Sequence, residues 1–350
     1  CMRINRYLVF DMNLKVKQDL QEFVLSFELS NDLSNKKFLI TGATGLIGSI
    51  LVHCLLALKR NISIIAPVRS TMKVKEIFDT EEISFITFIE CDIATFNYDM
   101  VGVVDYIVHC AAPTSSKYFI EHPVDTFQII YKGTEALLEY AKNKQVNGFV
   151  YLSSLEVYGT ISDGSIQITE DVQGYLNPMA VRSCYPMAKR AAENLCCVYA
   201  AQYGVNVKIA RLTQTTGAGI SENDNRIIAQ FCRLAAKGEN IILHTKGEAA
   251  RPYCYTIDCV SAILYILLKG AAGEAYNVAN EGTYVSAKGL AEILREKFNP
   301  DIKVLFDLKD NMGYALGTKL RLNVDKLKAL GWTSQHDLMG ILKRMIDFLK

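Results

Sequence analysis

The amino-acid sequence predicts an α/β fold with a doubly wound parallel sheet, because short apolar runs alternate with segments of helical periodicity. The runs predicted as strands lie at residues 38–40, 62–68, 85–89, 106–110, 149–153 and 207–212. They are nearly continuously apolar, as a sheet covered by helices on both faces requires. A glycine-rich turn follows the first strand and leads into a helix with apolar residues such as Leu46, Ile50 and Leu58 on one side. This order of strand, turn and helix is the repeating unit of a parallel sheet.

Length and charge narrow the classes of function. The 350 residues are enough for one large domain with an added lobe, or for two domains that share a crevice. About 50% of the residues are apolar, so a full core can be buried. The formal net charge is +1 and no basic run stands out. These features argue against nucleic acid or an anionic membrane surface as the main partner.

The cysteines indicate a reducing compartment. Ten cysteines are scattered along the chain without CxxC pairs, which is typical of reduced thiols in a cytoplasmic protein. No Cys/His cluster has the spacing of metal ligands, so we expect no metal. The apolar run at residues 7–10 is too short for the core of a signal peptide. The longest run, near residues 260–268, is roughly half of a membrane span. We therefore expect a cytoplasmic protein without a membrane partner.

The glycine turn has the spacing of a dinucleotide-binding loop. The sequence Thr41-Gly42-Ala-Thr-Gly45-Leu-Ile-Gly48 stands between a strand and a helix, with the pattern GxxGxxG. The first glycine permits a tight turn, the second lets a pyrophosphate approach the backbone, and the third lets helix and strand pack closely. The phosphates would then meet the positive end of the helix. The predicted cofactor contacts of this loop are Gly42, Thr44, Gly45, Leu46, Ile47 and Gly48. A Rossmann-type fold follows.

The ends of the next strands define the rest of the predicted cofactor site. The second strand ends with Arg69 and carries no acidic residue there to hold a ribose 2′-hydroxyl. Arg69 would face a 2′-phosphate, which favours NADP, or stack on the adenine of NAD. After the third strand, Asp92 and Ile93 are predicted to contact the adenine, although Asp92 could instead cap a turn. Ala111 and Ala112 end the fourth strand, where small side chains leave room for the cofactor.

The chain is divided into three parts on this basis. Residues 1–36 are predicted as an N-terminal arm, residues 37–212 as the dinucleotide-binding domain, and residues 213–350 mainly as a smaller C-terminal lobe. The arm is expected to hold a short amphipathic helix with Leu20, Phe23, Val24 and Phe27 on one side, which serves packing or else oligomerisation or the active site. In the last part, strands are predicted at 241–244 and 275–278 and helices at 226–237, 258–269, 286–297 and 335–349.

A tyrosine and a lysine four residues apart form the predicted catalytic centre. Tyr185 and Lys189 would lie on one face of a helix. The ammonium of Lys189 is expected to lower the pKa of the Tyr185 phenol, which could then accept a proton from a substrate hydroxyl. Lys189 could also hold the nicotinamide ribose. Ser153 and Ser154 stand at the end of a strand about thirty residues upstream, where a hydroxyl could bond the reacting oxygen.

The chain resembles the extended short-chain dehydrogenase/reductase family, specifically its nucleotide-sugar epimerases, decarboxylases and dehydratases. The resemblance covers about residues 37–349 and rests on the motifs TGATGLIG, HCAAP, SSLEVYG, YPMAK and RPYCYTID, in the family's order. It implies that Ser154 takes the family's Ser/Thr role, that Tyr185 is the base, and that Lys189 is its partner. It also implies a nucleotide-sugar substrate, a homodimer, and NAD or NADP as cofactor. The substrate contacts implied are Thr114, Gln214, Arg226 and Arg251, with Arg251 on the nucleotide diphosphate.

Departures from the family pattern lie in the sugar pocket. The family usually has Asn in an Arg-x-x-Asn pattern after the sixth strand, but this chain has Gln214. A second frequent Asn, three residues before the Gly-Thr of the helix after the fourth strand, is Ile130 here. The identity of the sugar is therefore left open by the sequence.

Glu156 is the residue that bears on the type of reaction. By resemblance, an Asp-Glu pair follows the catalytic Thr of the 4,6-dehydratases, whereas Leu155-Glu156 follows Ser154 here. The decarboxylases that act on UDP-glucuronate have Ser-Glu, so Glu156 favours a decarboxylase, and a plain 4-epimerase remains compatible. The 4,6-dehydratase, a reductase of a small carbonyl compound and a non-catalytic dinucleotide sensor are the alternatives. Glu156 is predicted to be catalytic, or else to bond only the backbone near Tyr158.

Overall fold

The structure is a computed structural model that describes residues 12–161, 164–308 and 319–350. The first part of the predicted N-terminal arm, residues 1–11, lies outside the described residues. The strands are β1 (Lys37–Thr41), β2 (Ser63–Val68), β3 (Ile86–Glu90), β4 (Tyr106–His109), β5 (Gly148–Ser154), β6 (Gln167–Ile168), β7 (Val207–Leu212), β8 (Gln214–Thr216), β9 (Ile241–Leu243), β10 (Ala250–Tyr255), β11 (Ala275–Val278), β12 (Asn280–Ser286), β13 (Val304–Phe306) and β14 (Arg321–Leu322). The helices are α1 (Leu14–Ser26), α2 (Leu46–Ala57), α3 (Thr80–Ser84), α4 (Ser116–Glu121), α5 (Pro123–Lys144), α6 (Cys184–Tyr203), α7 (Ile227–Lys237), α8 (Thr256–Lys269), α9 (Ala287–Lys297), α10 (Asp325–Lys328) and α11 (Leu338–Leu349).

A seven-stranded parallel sheet forms the centre of the molecule. Its strand order is β11-β7-β5-β4-β1-β2-β3, and every pair of neighbours is parallel. The predicted α/β class with a Rossmann-type doubly wound sheet is confirmed. The chain leaves β1 toward β2 and β3 and later returns to place β4 on the other side of β1. This reversal opens a crevice at the carboxyl ends of β1 and β4, where ligands of such sheets bind.

The core lies on both faces of the sheet. Leu39, Ile107 and Phe149 are fully buried on the face that α5 and α6 cover. Phe38 and Val108 belong to the other face, where α2 and α8 pack. This double burial explains why the strands lack the alternating pattern of a half-exposed sheet. Within the described residues, no helix has the length and apolar character to cross a membrane.

One predicted element of the C-terminal lobe belongs to the central sheet. The segment Ala275–Val278 is β11, which pairs in parallel with β7 and forms the seventh strand of the sheet. Four residues carry too little pattern to identify the sheet to which a short strand belongs, because pairing depends on contacts distant in sequence. The other strands of this region form small sheets in the orders β12-β10-β8, β13-β9 and β14-β6. The boundary at residue 212 stays a prediction, although the chain returns to the sheet after it.

The arm forms the predicted amphipathic helix, which is α1. Leu20, Phe23 and Phe27 are buried as expected, but Val24 is exposed and Val16 takes its place on the apolar side. The helix packs against α2, α8 and α11. The sequence pattern missed a buried carboxylate on this side, because a polar residue interrupts the apolar spacing. Asp19 is 4% exposed.

Asp19 ties the arm to the C-terminal region. Its carboxylate accepts hydrogen bonds from the Tyr255 hydroxyl at 2.6 Å and from Arg344 Nη1 at 2.6 Å. Burial raises the pKa of this carboxyl, and the bonds from Tyr255 and Arg344 oppose that change. A buried carboxylate that is paired in this way fixes the position of α1 against β10 and α11. The packing role predicted for the arm therefore has a specific anchor.

Candidate active site

The glycine loop has the geometry that the motif predicts. Gly42 has a φ of +71°, a left-handed conformation that favours glycine. A Cβ atom at Gly42 would lie 2.8 Å from the backbone nitrogen of Ala111, so β1 and β4 approach too closely here for any side chain. The Gly45 amide donates to the Gly42 carbonyl at 3.0 Å, which closes the turn. A Cβ atom at Gly48 would collide with the same carbonyl oxygen, as the close packing of helix and loop requires.

The helix that follows presents an uncapped amino terminus. Gly45 is the N-cap of α2, and no side chain of the described residues bonds to the free amides of its first turn. The first residues of this helix are Leu46 and Ile47, and Thr44 precedes the cap. Unpaired amides at the positive end of a helix are donors for phosphate oxygens. The loop therefore fits a dinucleotide pyrophosphate.

The residues predicted to contact the adenosine half of the cofactor differ in exposure and in hydrogen bonding. Arg69 is exposed at the end of β2 and makes no hydrogen bond or ion pair with any described residue. The Asp92 carboxylate accepts a hydrogen bond from the Ala94 amide at 2.9 Å, so it caps the turn after β3. Ile93 is buried, and a Cβ atom at Gly133 would lie 2.9 Å from its Cδ1 atom. The turn-capping alternative for Asp92 thus has direct support.

The end of β4 is fixed by a buried polar pair that the sequence analysis missed. His109 Nδ1 lies 2.7 Å from the Thr41 hydroxyl, which also accepts a hydrogen bond from the Ala111 amide at 3.3 Å. Burial lowers the pKa of His109 to about 3, so the imidazole is neutral. These bonds join the ends of β1 and β4 and set the backbone of Ala111 and Ala112 beside the glycine loop. Spacing alone gives no signal for a contact across two strands.

The predicted catalytic residues come together at the carboxyl end of β5. Ser154 is the last residue of this strand, and Tyr185 and Lys189 lie on consecutive turns of α6. The Ser154 hydroxyl accepts a hydrogen bond from the Glu156 amide at 3.2 Å, and its influence lowers the pKa of the Tyr185 phenol. The Lys189 ammonium is 5.9 Å from the centre of the Tyr185 ring and donates to the Leu152 carbonyl at 2.7 Å. The cluster stands next to the cofactor crevice between β1 and β4.

Burial dominates the electrostatics of this cluster. It raises the pKa of the Tyr185 phenol, the negative charge of Glu156 adds to the rise, and Ser154 and Arg182 oppose it. The expected lowering by Lys189 is therefore wrong for this structure, because loss of hydration at a buried phenol outweighs the neighbouring charges. Burial also lowers the pKa of Lys189 to about 8, and the Glu193 carboxylate opposes that change. Lys189 is consequently still largely protonated at neutral pH.

Glu156 forms an ion pair with a residue that the sequence analysis did not identify. Arg182 Nη2 lies 3.1 Å from both carboxylate oxygens of Glu156. The expected alternative, a bond from Glu156 to the backbone near Tyr158, is not the contact that its carboxylate makes. Arg182 is in a short 3₁₀ turn, Val181–Ser183, that leads directly into α6. The pair therefore spans the gap between Ser154 and Tyr185.

The predicted substrate residues fall into two groups. The Arg226 guanidinium is already engaged, because it pairs with Asp224 at 2.6 Å and donates to the Thr215 carbonyl at 2.6 Å. Arg251 is half-buried on β10 and makes no hydrogen bond or ion pair with a described residue. Gln214 on β8 has a buried amide oxygen without a hydrogen-bond partner in the described structure. β8 and β10 are parallel neighbours in which Gln214 pairs with Tyr253, so Gln214 and Arg251 lie on adjacent strands, two residues apart in register.

Thr114 follows β4 in an exposed position just before α4. It lies on the same edge of the sheet as Ala111 and Ala112. Its hydroxyl has no hydrogen-bond partner among the described residues. Its predicted contact with substrate is compatible with this position.

A buried ion pair holds α6, the helix that carries Tyr185 and Lys189, against the central sheet. Arg211 on β7 binds Glu193 of α6 through Nε and Nη2, with the shortest distance 2.8 Å. Arg211 Nη1 also donates to the Tyr158 hydroxyl at 3.1 Å. That hydroxyl donates to Asn277 Oδ1 at 2.6 Å on β11. This network fixes α6 and the segment after β5 against the sheet. Among the described residues, no cluster of three or more potential metal ligands occurs.

Comparison with known sequences supports the same interpretation. A family model described as the NAD dependent epimerase/dehydratase family matches residues 38–279. UDP-glucuronic acid decarboxylase 6 of Arabidopsis thaliana is 32% identical to the chain over 273 residues, which cover 77% of this chain and 77% of that protein. The matched region contains the glycine loop and the predicted catalytic residues.

Comparison with solved structures supports the fold. An epimerase from Methanothermobacter thermautotrophicus has a TM-score of 0.77 at 23% identity, covering 92% of this chain and 96% of that chain. The UDP-glucuronic acid 4-epimerase of Bacillus cereus, solved in complex with NAD, has a TM-score of 0.74 at 22% identity, covering 89% and 98%. At these identities the likeness shows the fold.

Proposed function

The chain belongs to the NAD-dependent epimerase/dehydratase family, and from this membership we propose that it modifies a nucleotide-linked sugar through a 4-keto intermediate, as an epimerase or as a decarboxylase of the UDP-glucuronate type. The observation that carries the proposal is the meeting of Ser154, Tyr185 and Lys189 at the end of β5, beside the glycine loop. A serine, a phenol and an ammonium in this arrangement are suited to oxidising a secondary alcohol.

The cofactor is NAD, the cofactor of the family. Gly42, Gly45 and Gly48 and the uncapped start of α2 fit its pyrophosphate. Bound NAD would supply the reversible hydride acceptor for C4 of the sugar. Arg69 is free to accept a 2′-phosphate, so the proposal includes NADP as a second cofactor. The small residues Ala111 and Ala112 leave the end of β4 open to the nicotinamide half.

Side chains of the protein accept the proton of the sugar hydroxyl. Ser154 holds the C4 oxygen, and Tyr185 accepts its proton as the carbon is oxidised. Lys189 stabilises the phenolate form of Tyr185, which is the form that accepts the proton, and holds the ribose. The end of β5 and the start of α6 bring the three residues together, and the Lys189 ammonium lies 5.9 Å from the centre of the Tyr185 ring.

The nucleotide diphosphate is expected near Arg251. Its half-buried guanidinium has no partner in the described chain, and a buried charge without a partner is costly unless a ligand supplies one. Gln214 has an unpaired buried oxygen on the adjacent strand and is expected to contact the same ligand. Arg226, which is bound to Asp224, instead supports the segment that leads into α7.

The test of this function is turnover without added reductant. An epimerase or decarboxylase returns its hydride to the same sugar, so a panel of UDP-, GDP-, CDP- and dTDP-sugars should yield a product by NMR with no net consumption of NADH or NADPH. Stoichiometric consumption of either nucleotide would favour the reductase of a small carbonyl compound. Absence of any product across the panel would favour the non-catalytic sensor.

We also propose that the chain forms a homodimer through the outer side of α5 and the segment before α6. This surface has a groove of about 520 Å³ lined largely by apolar side chains, and Val124, Phe127, Met179 and Val181 are exposed there. Exposed apolar patches of this kind are typical of protein–protein interfaces.

The nine cysteines that the structure describes are free thiols, which supports the expected cytoplasmic location.

The homodimer is testable by sedimentation. Phe127→Asp places a charge in the patch and should shift the protein from dimer to monomer. Phe85→Asp is the matched control, because Phe85 is an exposed aromatic residue at the end of α3, outside the patch. If the protein without substitutions is a monomer, or if the Phe127→Asp variant remains a dimer, this surface is not a dimer interface.

A further inference from the structure

Arg182 is a partly buried cation that pairs with Glu156 beside the predicted catalytic tyrosine. Its guanidinium lies 4.8 Å from the centre of the Phe119 ring, and the same ring stacks on Tyr185 at 4.3 Å with an interplanar angle of 12°. Cys184 Sγ donates to the Phe119 carbonyl at 3.3 Å, which ties the start of α6 to α4. The position of Arg182 is therefore fixed relative to the Tyr185 ring.

Arg182 has unused hydrogen-bond donors. Only Nη2 binds Glu156, and neither Nε nor Nη1 has a hydrogen-bond partner in the part of the chain that the structure describes. A guanidinium presents five N–H donors in a planar fork, so it can hold two carboxylates at once. Arg182 can thus keep Glu156 in place and still bind a second anion.

The position of the sugar follows from the reaction. If Ser154 and Tyr185 hold the C4 hydroxyl, the substituent on C5 is two bonds from C4 and must lie close to the same side chains. Glu156 and Arg182 both act on the pKa of Tyr185, the first raising it and the second lowering it, so both charges are near this point. A carboxylate at C6 would repel Glu156 unless a cation stands between them.

We infer that Arg182 binds the C6 carboxylate of a nucleotide-linked uronic acid, and that this contact selects acidic sugars over neutral hexoses. The inference rests on the proposed function, because it assumes that the sugar's C4 hydroxyl lies between Ser154 and Tyr185. Arg182 would donate to the sugar carboxylate through Nε or Nη1 while Nη2 keeps Glu156. A neutral CH₂OH group at C6 has no charge to pair with the guanidinium and a single oxygen to accept from it, so it would gain less from this fork than a carboxylate. Arg182 is then a specificity-determining residue that sequence reasoning did not find.

The experiment compares an acidic and a neutral ligand that differ at C6. The dissociation constants of UDP-glucuronate, UDP-glucose and UDP are measured by calorimetry on the NAD-loaded protein, in the Tyr185→Phe background so that no sugar is converted. Arg182→Gln should weaken UDP-glucuronate binding about 10- to 100-fold, the range expected for loss of a charge-assisted hydrogen bond. UDP-glucose and UDP should bind within about twofold of the reference protein.

Three further variants separate specificity from structure. Arg182→Lys should give an intermediate loss, because an ammonium keeps the charge but cannot form the fork. Glu156→Gln should bind UDP-glucuronate at least as tightly, since it removes a neighbouring negative charge. Arg295→Gln is the matched control: Arg295 pairs with Glu292 at 2.8 Å on α9, with exposure similar to that of Arg182 and Glu156, and it should change none of the three constants.

The possible failures are distinguishable. If the reference protein binds no UDP-linked ligand, the proposed function and the inference both fail. If it binds UDP-glucose and UDP-glucuronate equally well, the proposed function stands and the inference fails. If Arg182→Gln weakens all three ligands to the same extent, Arg182 acts on the nucleotide or on the fold, and the uronate contact is overturned.

Discussion

Replacing Tyr185 by phenylalanine is expected to lower turnover about 10²–10⁴-fold, the usual cost of removing a general base. The substitution keeps the ring, so the stacking on Phe119 at 4.3 Å and the packing of α6 should remain. It removes the oxygen that would accept the proton of the sugar hydroxyl. NAD binding should change little, because the glycine loop lies on β1 and α2 rather than on α6. Turnover, and NAD affinity by calorimetry, are the two measurements.

The matched control for this substitution lies on the same helix. Tyr199 is also a buried tyrosine of α6, and its hydroxyl donates to Glu139. It is 14 residues beyond Tyr185, which is roughly 21 Å along an α-helix. Tyr199→Phe should therefore leave turnover near normal. Near-normal turnover in Tyr185→Phe as well would remove Tyr185 from the mechanism and would leave Ser154 and Lys189 without a proton acceptor.

The raised pKa of Tyr185 gives the substitution a second readout. Because burial and Glu156 both favour the neutral phenol, the side chain is protonated at neutral pH and must lose its proton before it can act as a base. Turnover should thus rise with pH until the cofactor-loaded site reaches the pKa of the phenol. Tyr185→Phe should lose this pH dependence along with its activity, whereas a change that merely disturbs packing would keep it.

The elements that the sequence predicted well are those with a continuous local pattern. The strand Val207–Leu212 has the predicted bounds, and the helix predicted at 226–237 begins at Ile227 and ends at Lys237. The strand is buried at every residue and reads as a short run between breaks, whereas the helix is long enough for burial on one side to impose a helical period on the sequence. The glycine loop was also predictable, because only glycine fits at two of its positions. Gly42 has a left-handed backbone conformation, and at both Gly42 and Gly48 a Cβ atom would collide with neighbouring backbone. Membership of the family confirms the fold and the NAD-dependent class.

The features that the sequence did not reveal depend on contacts between distant segments. Arg182 and Glu156 are 26 residues apart, and nothing in either segment indicates that they pair. The direction of the pKa change at Tyr185 depends on burial, which the spacing of Tyr185 and Lys189 does not report. Asp19 binds Tyr255 across 236 residues. Pairing and burial are tertiary properties, so local propensity carries little information about them.

Replacing Glu156 by glutamine is expected to stop the cycle after oxidation when the substrate is a nucleotide-linked uronic acid. The amide keeps the shape of the side chain and loses its charge and its ability to carry a proton. Decarboxylation leaves a carbanion-like centre at C5 that needs a proton. With C4 held between Ser154 and Tyr185 as proposed, the Glu156 carboxylate, which Arg182 holds at 3.1 Å, would lie beside that carbon. Turnover should fall about 10²-fold or more, the range for loss of a proton-transfer group. Reduced cofactor and a 4-keto sugar should accumulate, which absorbance near 340 nm and NMR would detect.

The same substitution separates the two reactions that the family membership leaves open. A plain 4-epimerisation needs chemistry at C4 alone, so Ser154 and Tyr185 suffice and Glu156→Gln should turn over normally without trapped intermediate. The substitution also removes the negative charge of Glu156, which raises the pKa of Tyr185. The phenol should then lose its proton more easily, so oxidation at C4 should be no slower. Glu292→Gln breaks a surface pair of similar exposure and controls for the loss of a carboxylate. A fully active Glu156→Gln variant would limit Glu156 to holding Arg182 and would make the epimerase the better assignment, whereas a stall with UDP-glucuronate assigns Glu156 to proton transfer at C5.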